Sequence, residues 1–121
     1  MTHALTVLVA EDNILVGLDL KMALESLDCE VWGPFATVAD SLEAIVDKVP
    51  DYALLDVELK DGRAFTVAKQ LDISQTPYVF VTGRGDLLEE AGFEGHDLIP
   101  KPFEIEELEP RIAKIIAQKN S

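Results

Sequence analysis

Cysteine is all but missing. Cys29 stands alone among 121 residues, which excludes an internal disulfide and any cage of thiolate ligands. A lone cysteine of this kind reads as a small packed hydrophobe rather than a redox group. His3 and His96 have no matching set of ligands near them in the sequence, so no transition-metal site is expected. Positive charge is scarce as well. The 10 Lys and Arg residues face 23 Asp and Glu, for a formal charge of -13, and a chain of that sign repels a nucleic-acid backbone instead of releasing its counterions. Uninterrupted apolar runs are only a few residues long, against the roughly 20 needed to cross a bilayer. Neither direct nucleic-acid binding nor membrane insertion is therefore expected. The Met-Thr-His start lacks the charged and apolar regions of a signal peptide, and the expected location is cytoplasmic.

What is present suits one compact domain. A hydrophobic content of 48% over this length supports one core and leaves little room for a second. The expectation is a single domain over residues 1–121 with no output domain. Short apolar or β-branched runs recur at residues 5–10, 30–32, 52–57, 78–82 and 97–99, which are strand-length segments bounded by turn residues. Helical spacing fills residues 14–27, 38–49, 63–71, 87–91 and 104–118. In the second helical segment Leu42, Ile45, Val46 and Val49 recur at i, i+3, i+4 and i+7, and Thr37 with Asp40 forms a capping signature. Pro110 predicts a kink in the last helix, or a main helix that begins near Glu109. Strand and helix alternate five times, which predicts an α/β fold with a parallel sheet covered on both faces.

In such sheets the functional groups collect beyond the carboxyl ends of the strands. Glu11 and Asp12 end the first strand, Asp56 the third and Thr82 the fourth, while Lys101 follows the fifth. Three carboxylates gathered without a cation would repel one another, so the cluster favours a hard divalent ion with oxygen ligands, Mg2+ above all. A carboxylate nucleophile beside Mg2+, with a hydroxyl and an ammonium aimed at the transferring oxygens, supplies what phosphoryl transfer needs. Asp56 is the candidate nucleophile and phosphoacceptor. Asp12 and Glu11 are candidate metal ligands with Asp56 itself, and the backbone carbonyl of Glu58 completes the shell. Thr82 and Lys101 are the candidate partners of the phosphoryl oxygens.

Glu11-Asp12, Asp56, Gly62, Thr82 and Lys101-Pro102 together resemble the receiver domains of two-component signalling, over about residues 6–117. The resemblance implies a (βα)5 flavodoxin-like, doubly wound parallel sheet of strand order 2-1-3-4-5. It also implies transfer from a histidine kinase or histidine phosphotransfer protein, self-catalysed hydrolysis of the acyl phosphate, and a cis Lys101–Pro102 bond. Without an output domain, the signal would pass to a downstream effector protein. The stretch Tyr78-Val-Phe-Val-Thr-Gly-Arg-Gly is similar to the Phe-Ala-Thr-Gly stretch of single-domain receivers of alphaproteobacteria, some tied to stress signalling.

One departure stands out. Leu98 occupies the position, three before Lys101, where most receivers carry an aromatic residue that reports phosphorylation. The expected switch element is instead the loop Gly83-Arg84-Gly85, with His96 as an alternative sensor, and Glu58 and Arg84 are placed to control the access of water. Three other readings compete. Asp56-Val-Glu58 resembles the Asp-x-Asp motif of haloacid-dehalogenase-like phosphatases, which carry it on the first strand of a larger chain. A flavodoxin-like FMN module would need a phosphate cradle where Glu11-Asp12-Asn13 repels anions. A binding module could keep the fold without being phosphorylated.

Overall fold

The computed structural model describes residues 4–93 and 97–120, with side chains described through residue 118. His3, Gly95 and His96 lie outside the described residues. The chain forms β1 (Thr6–Ala10), α1 (Ile14–Ser26), β2 (Glu30–Phe35), α2 (Val38–Ala44), β3 (Tyr52–Leu55), β4 (Glu58–Leu59), β5 (Gly62–Arg63), α3 (Phe65–Ile73), β6 (Tyr78–Thr82), α4 (Asp86–Glu90), β7 (Leu98–Pro100) and α5 (Ile105–Asn120). Five of the strands make one parallel sheet of order β2-β1-β3-β6-β7. With the small antiparallel pair β4-β5 set aside, that is the expected 2-1-3-4-5 order of a flavodoxin-like fold.

Because successive side chains of a strand point to opposite faces, each buried strand feeds two cores. Val7 and Val9 join Leu54, Val79, Val81 and Ile99 beneath α1 and α5, through Leu20, Leu24, Leu108 and Ile112. Leu8 and Ala10 join Leu55 and Phe80 on the other face, beneath residues of α2, α3 and α4. This burial on both sides accounts for the unbroken apolar runs of β1 and β6.

Several element boundaries differ from expectation. The second strand runs on to Phe35, so Trp32 and Phe35 lie inside it and pack half-buried on the main core. The third strand stops at Leu55, leaving Asp56 just past its end. Residues 58–63 form a hairpin for which the sequence carries no periodic signal, and the third helix therefore starts at Phe65. The second helix ends at Ala44, with Val46 and Val49 left 76% and 51% exposed. The reason is local. Val46 donates a long bond of 3.4 Å back to Glu43 O, three residues earlier instead of four, and Pro50 drives residue 49 out of helical geometry, so the apolar spacing there had no helix to serve. The last helix begins at Ile105 and runs unbroken through Pro110, which corrects a start near Glu109. Pro110 is the sixth residue, so its ring forfeits one early bond, to Glu106, and the rest of the helix is free to form. Among the described residues no helix is long and apolar enough to cross a membrane.

Candidate functional site

The carboxyl ends of β1, β3, β6 and β7 converge on one acidic pocket. The Glu11 amide continues the sheet by donating to Phe35 O at 2.8 Å, and the Asp56 amide does so to Ala10 O at 2.8 Å. These bonds place two carboxyl side chains side by side where the strands end. Asn13 caps α1 by accepting the Val16 amide at 3.1 Å, while its own amide donates to Glu11 Oε2 at 3.1 Å. Lys101 arrives from the neighbouring edge, its amide bonded to Thr82 O at 3.1 Å, and the following peptide bond to Pro102 is cis. A second cis bond, Gly33–Pro34, has no signal in the sequence.

Glu11 and Asp56 are 3% and 7% exposed, whereas Asp12 is half-buried. One oxygen from each of the three lies within 4.8 Å of the others. Lys101 Nζ sits 2.6 Å from Glu11 Oε1 and 3.1 Å from Asp56 Oδ2. Burial pushes the Glu11 carboxyl up to about 7; Lys101 pulls it down and neighbouring Asp56 adds to the rise. Burial works to lower the Lys101 pKa, yet the hydrogen bond and charge of Glu11, together with Asp56, outweigh it and the net direction is upward. Glu11 Oε1 is fully buried and has the ammonium as ionic partner but no aligned hydrogen-bond donor. Such an oxygen, in a set of hard carboxylate donors carrying excess negative charge, suits a divalent cation of the Mg2+ class.

Around this centre the remaining candidates are distributed unevenly. The Glu58 amide donates to Asp56 Oδ1 at 3.3 Å, and the Glu58 side chain turns towards Arg84, 3.7 Å away. Thr82 is buried at the end of β6, and its hydroxyl accepts the Arg84 amide at 3.0 Å. Arg84 also grips Asp86 through two nitrogens at 3.1 and 3.2 Å. The 83–85 loop is thus tied to Thr82, Glu58 and Asp86. Leu98 is half-buried against the main core, and a β-carbon at Gly85 would meet its Cδ2 at 3.4 Å.

Two residues not singled out from the sequence for these roles fix segments around the pocket. Asn13 could have been found as a helix-capping residue directly before Ile14. Asp61 bonds the start of α2; the Asp61-Gly62 pair signals a turn, but nothing in the sequence links that turn to residues 23 positions earlier.

A family model described as the response regulator receiver domain matches residues 7–113. The sensory transduction protein LytT of Bacillus cereus is 33% identical over 121 residues, covering 97% of this chain and 49% of that protein. The chain spans less than half the length of the curated relatives it matches. Among solved structures, SdrG from Sphingomonas melonis Fr1 superposes with a TM-score of 0.80 at 31% identity, with 100% of both chains covered. The PhyR receiver domain of Erythrobacter litoralis gives a TM-score of 0.81 at 25% identity, covering 98% of this chain and 94% of that one.

Proposed function

The chain belongs to the response regulator receiver domain family of two-component systems, and from that premise we propose that Asp56 accepts a phosphoryl group from the phosphohistidine of a histidine kinase or histidine phosphotransfer protein. An Asp56 carboxylate oxygen attacks phosphorus as the phosphorus–nitrogen bond breaks, and the imidazole nitrogen keeps the electron pair. The product is an acyl phosphate on Asp56.

The observation that carries this reading is the meeting of Lys101 Nζ with both Asp56 Oδ2 and Glu11 Oε1, at 3.1 and 2.6 Å, beside the three-carboxylate cluster. Glu11, Asp12, Asp56 and the Glu58 backbone carbonyl hold Mg2+. When bound, the ion supplies neutralisation of the charge on the phosphoryl oxygens and a fixed orientation for them. The Lys101 ammonium pairs with one phosphoryl oxygen. The Thr82 hydroxyl donates to another, and can do so while still accepting from the Arg84 amide, because a hydroxyl has one proton and two lone pairs. Output passes by protein–protein contact to an effector, in the cytoplasm.

The test is radiolabel transfer from a panel of autophosphorylated histidine kinases. Wild-type protein should take up label only with Mg2+ present, and Asp56→Asn should take up none. Label that survives this substitution would remove the mechanism.

A further inference from the structure

The turn that follows Asp56 is tied to a helix that precedes it by many residues. Asp61 stands between β4 and β5, and its Oδ1 and Oδ2 accept the amides of Val38 and Ala39 at 2.6 and 3.1 Å. These are two of the first-turn amides that a helix cannot satisfy internally. The Val38 bond, ahead of every other influence, holds the Asp61 carboxyl below its ordinary range. Beside it the Lys60 amide donates to Ala36 O at 3.1 Å. The helix already has a cap from its own sequence, since Thr37 Oγ1 accepts the Asp40 amide at 3.0 Å.

At its other end the same short segment touches the acidic pocket. The Glu58 amide rests on Asp56 Oδ1 at 3.3 Å, and Ala64 N closes the hairpin onto Val57 O at 2.9 Å. The hairpin strands hold only two residues each. So small a ribbon is not stable alone, and its anchors fix where the Glu58 backbone lies.

We propose that Asp61 is a positioning residue of the phosphoacceptor pocket, setting the Glu58 backbone against Asp56 and coupling occupancy of the pocket to order in the first turns of α2. The inference rests on the reading of Asp56 and Glu58 given above. Coupling of this kind is reciprocal: whatever fixes the hairpin from the pocket side also steadies α2.

The experiment compares wild type, Asp61→Ala, Asp61→Asn and Thr37→Ala. Thr37→Ala removes a cap from the same helix without touching the hairpin, and so controls for loss of helix stability alone. Mg2+ affinity is read from amide shifts of Asp56 and Glu58, and hydrogen exchange of the Ser41 and Leu42 amides is followed with and without Mg2+ and beryllofluoride, alongside thermal melts. Asp61→Ala should weaken Mg2+ by about fivefold or more and abolish the ligand-induced protection of α2. Asp61→Asn, which keeps one acceptor oxygen, should restore part of both. Thr37→Ala should loosen α2 while leaving Mg2+ affinity unchanged. Wild-type affinity in Asp61→Ala, or an equal loss in Thr37→Ala, overturns the inference. Absence of any Mg2+ response in wild type would instead overturn the reading of the pocket, and the inference with it.

Discussion

The two faces of the sheet are built differently. One is covered by α1 and α5, of 13 and 16 residues, over a core in which Tyr52 is the one buried aromatic among aliphatic neighbours. The other carries α2, α3 and α4, of 7, 9 and 5 residues. Helices that short have little stability of their own in water, and this face compensates with rings: Phe65 stacks on Phe93 at 5.1 Å, and Phe80 meets Tyr78, Phe65 and Phe93 edge-on. The lesson is a division of labour. Long helices back the pocket with a stiff wall, while Glu58 and Arg84, which pair beside Asp56 and Thr82, hang from the side made of short pieces.

The largest test of that contrast is Phe80→Ala. Phe80 is fully buried at the centre of the aromatic group, and its truncation should cost about 3–5 kcal/mol in chemical denaturation. Leu24→Ala on the opposite face should cost about 2–5 kcal/mol. Hydrogen exchange separates the two: Phe80→Ala should loosen α4 below the global unfolding limit, and Leu24→Ala should not. Equal loosening of α4 in both variants breaks the distinction.

A second test uses pH, because each face buries one of the two tyrosines. Burial, aided by the charge of Asp97, pushes the Tyr52 phenol from 10.0 up to about 12. Burial first, then the hydrogen bond and charge of Asp72, raises Tyr78 as well. The folded chain keeps protons that the unfolded chain has released, so this contribution is complete below pH 10 and is lost as pH climbs towards 12. Tyrosinate absorbance should stay flat through pH 10 and then rise with unfolding. Half-ionisation near 10 with the fold intact would show these rings to be less enclosed than their surroundings imply.

The smallest effect on stability, and the sharpest on chemistry, is expected at Arg84→Ala. Its pairs with Glu58 and Asp86 lie between side chains that are half exposed or more, where ion pairs add little to folding. The melting temperature should not change. The half-life of the proposed acyl phosphate should change severalfold, since Glu58 and Arg84 pair next to Asp56 and Thr82, and identical decay curves would reject a role in admitting water.

Strand order and the pocket residues were legible because they rest on patterns with a physical period or a fixed place. Buried strands such as β1 and β6 read as apolar runs, and Glu11, Asp12, Asp56, Thr82 and Lys101 stand where those runs end. Boundaries were less legible wherever a local rule was overridden. Val46 and Val49 carried helical spacing, but the helix ends at Ala44 in turns that bond Ile45 to Leu42 and Val46 to Glu43, and Pro50 bars helical geometry at residue 49. The β4-β5 hairpin was hidden because strands of two residues have no periodicity to detect. Asp61 was hidden for a different reason: its partners, Val38 and Ala39, are brought to it only by the fold.

Surface loops as a rule tolerate insertion and exchange. The stretch from Val57 to Asp61 should not, since its first residue follows Asp56 and its last must reach the α2 amides. Lengthening it by one residue would leave either Glu58 or Asp61 out of place. A chimaera that borrows this loop from a relative must therefore bring the first turn of α2 with it, so the unit of inheritance here is a pair of segments separated by the rest of α2 and all of β3.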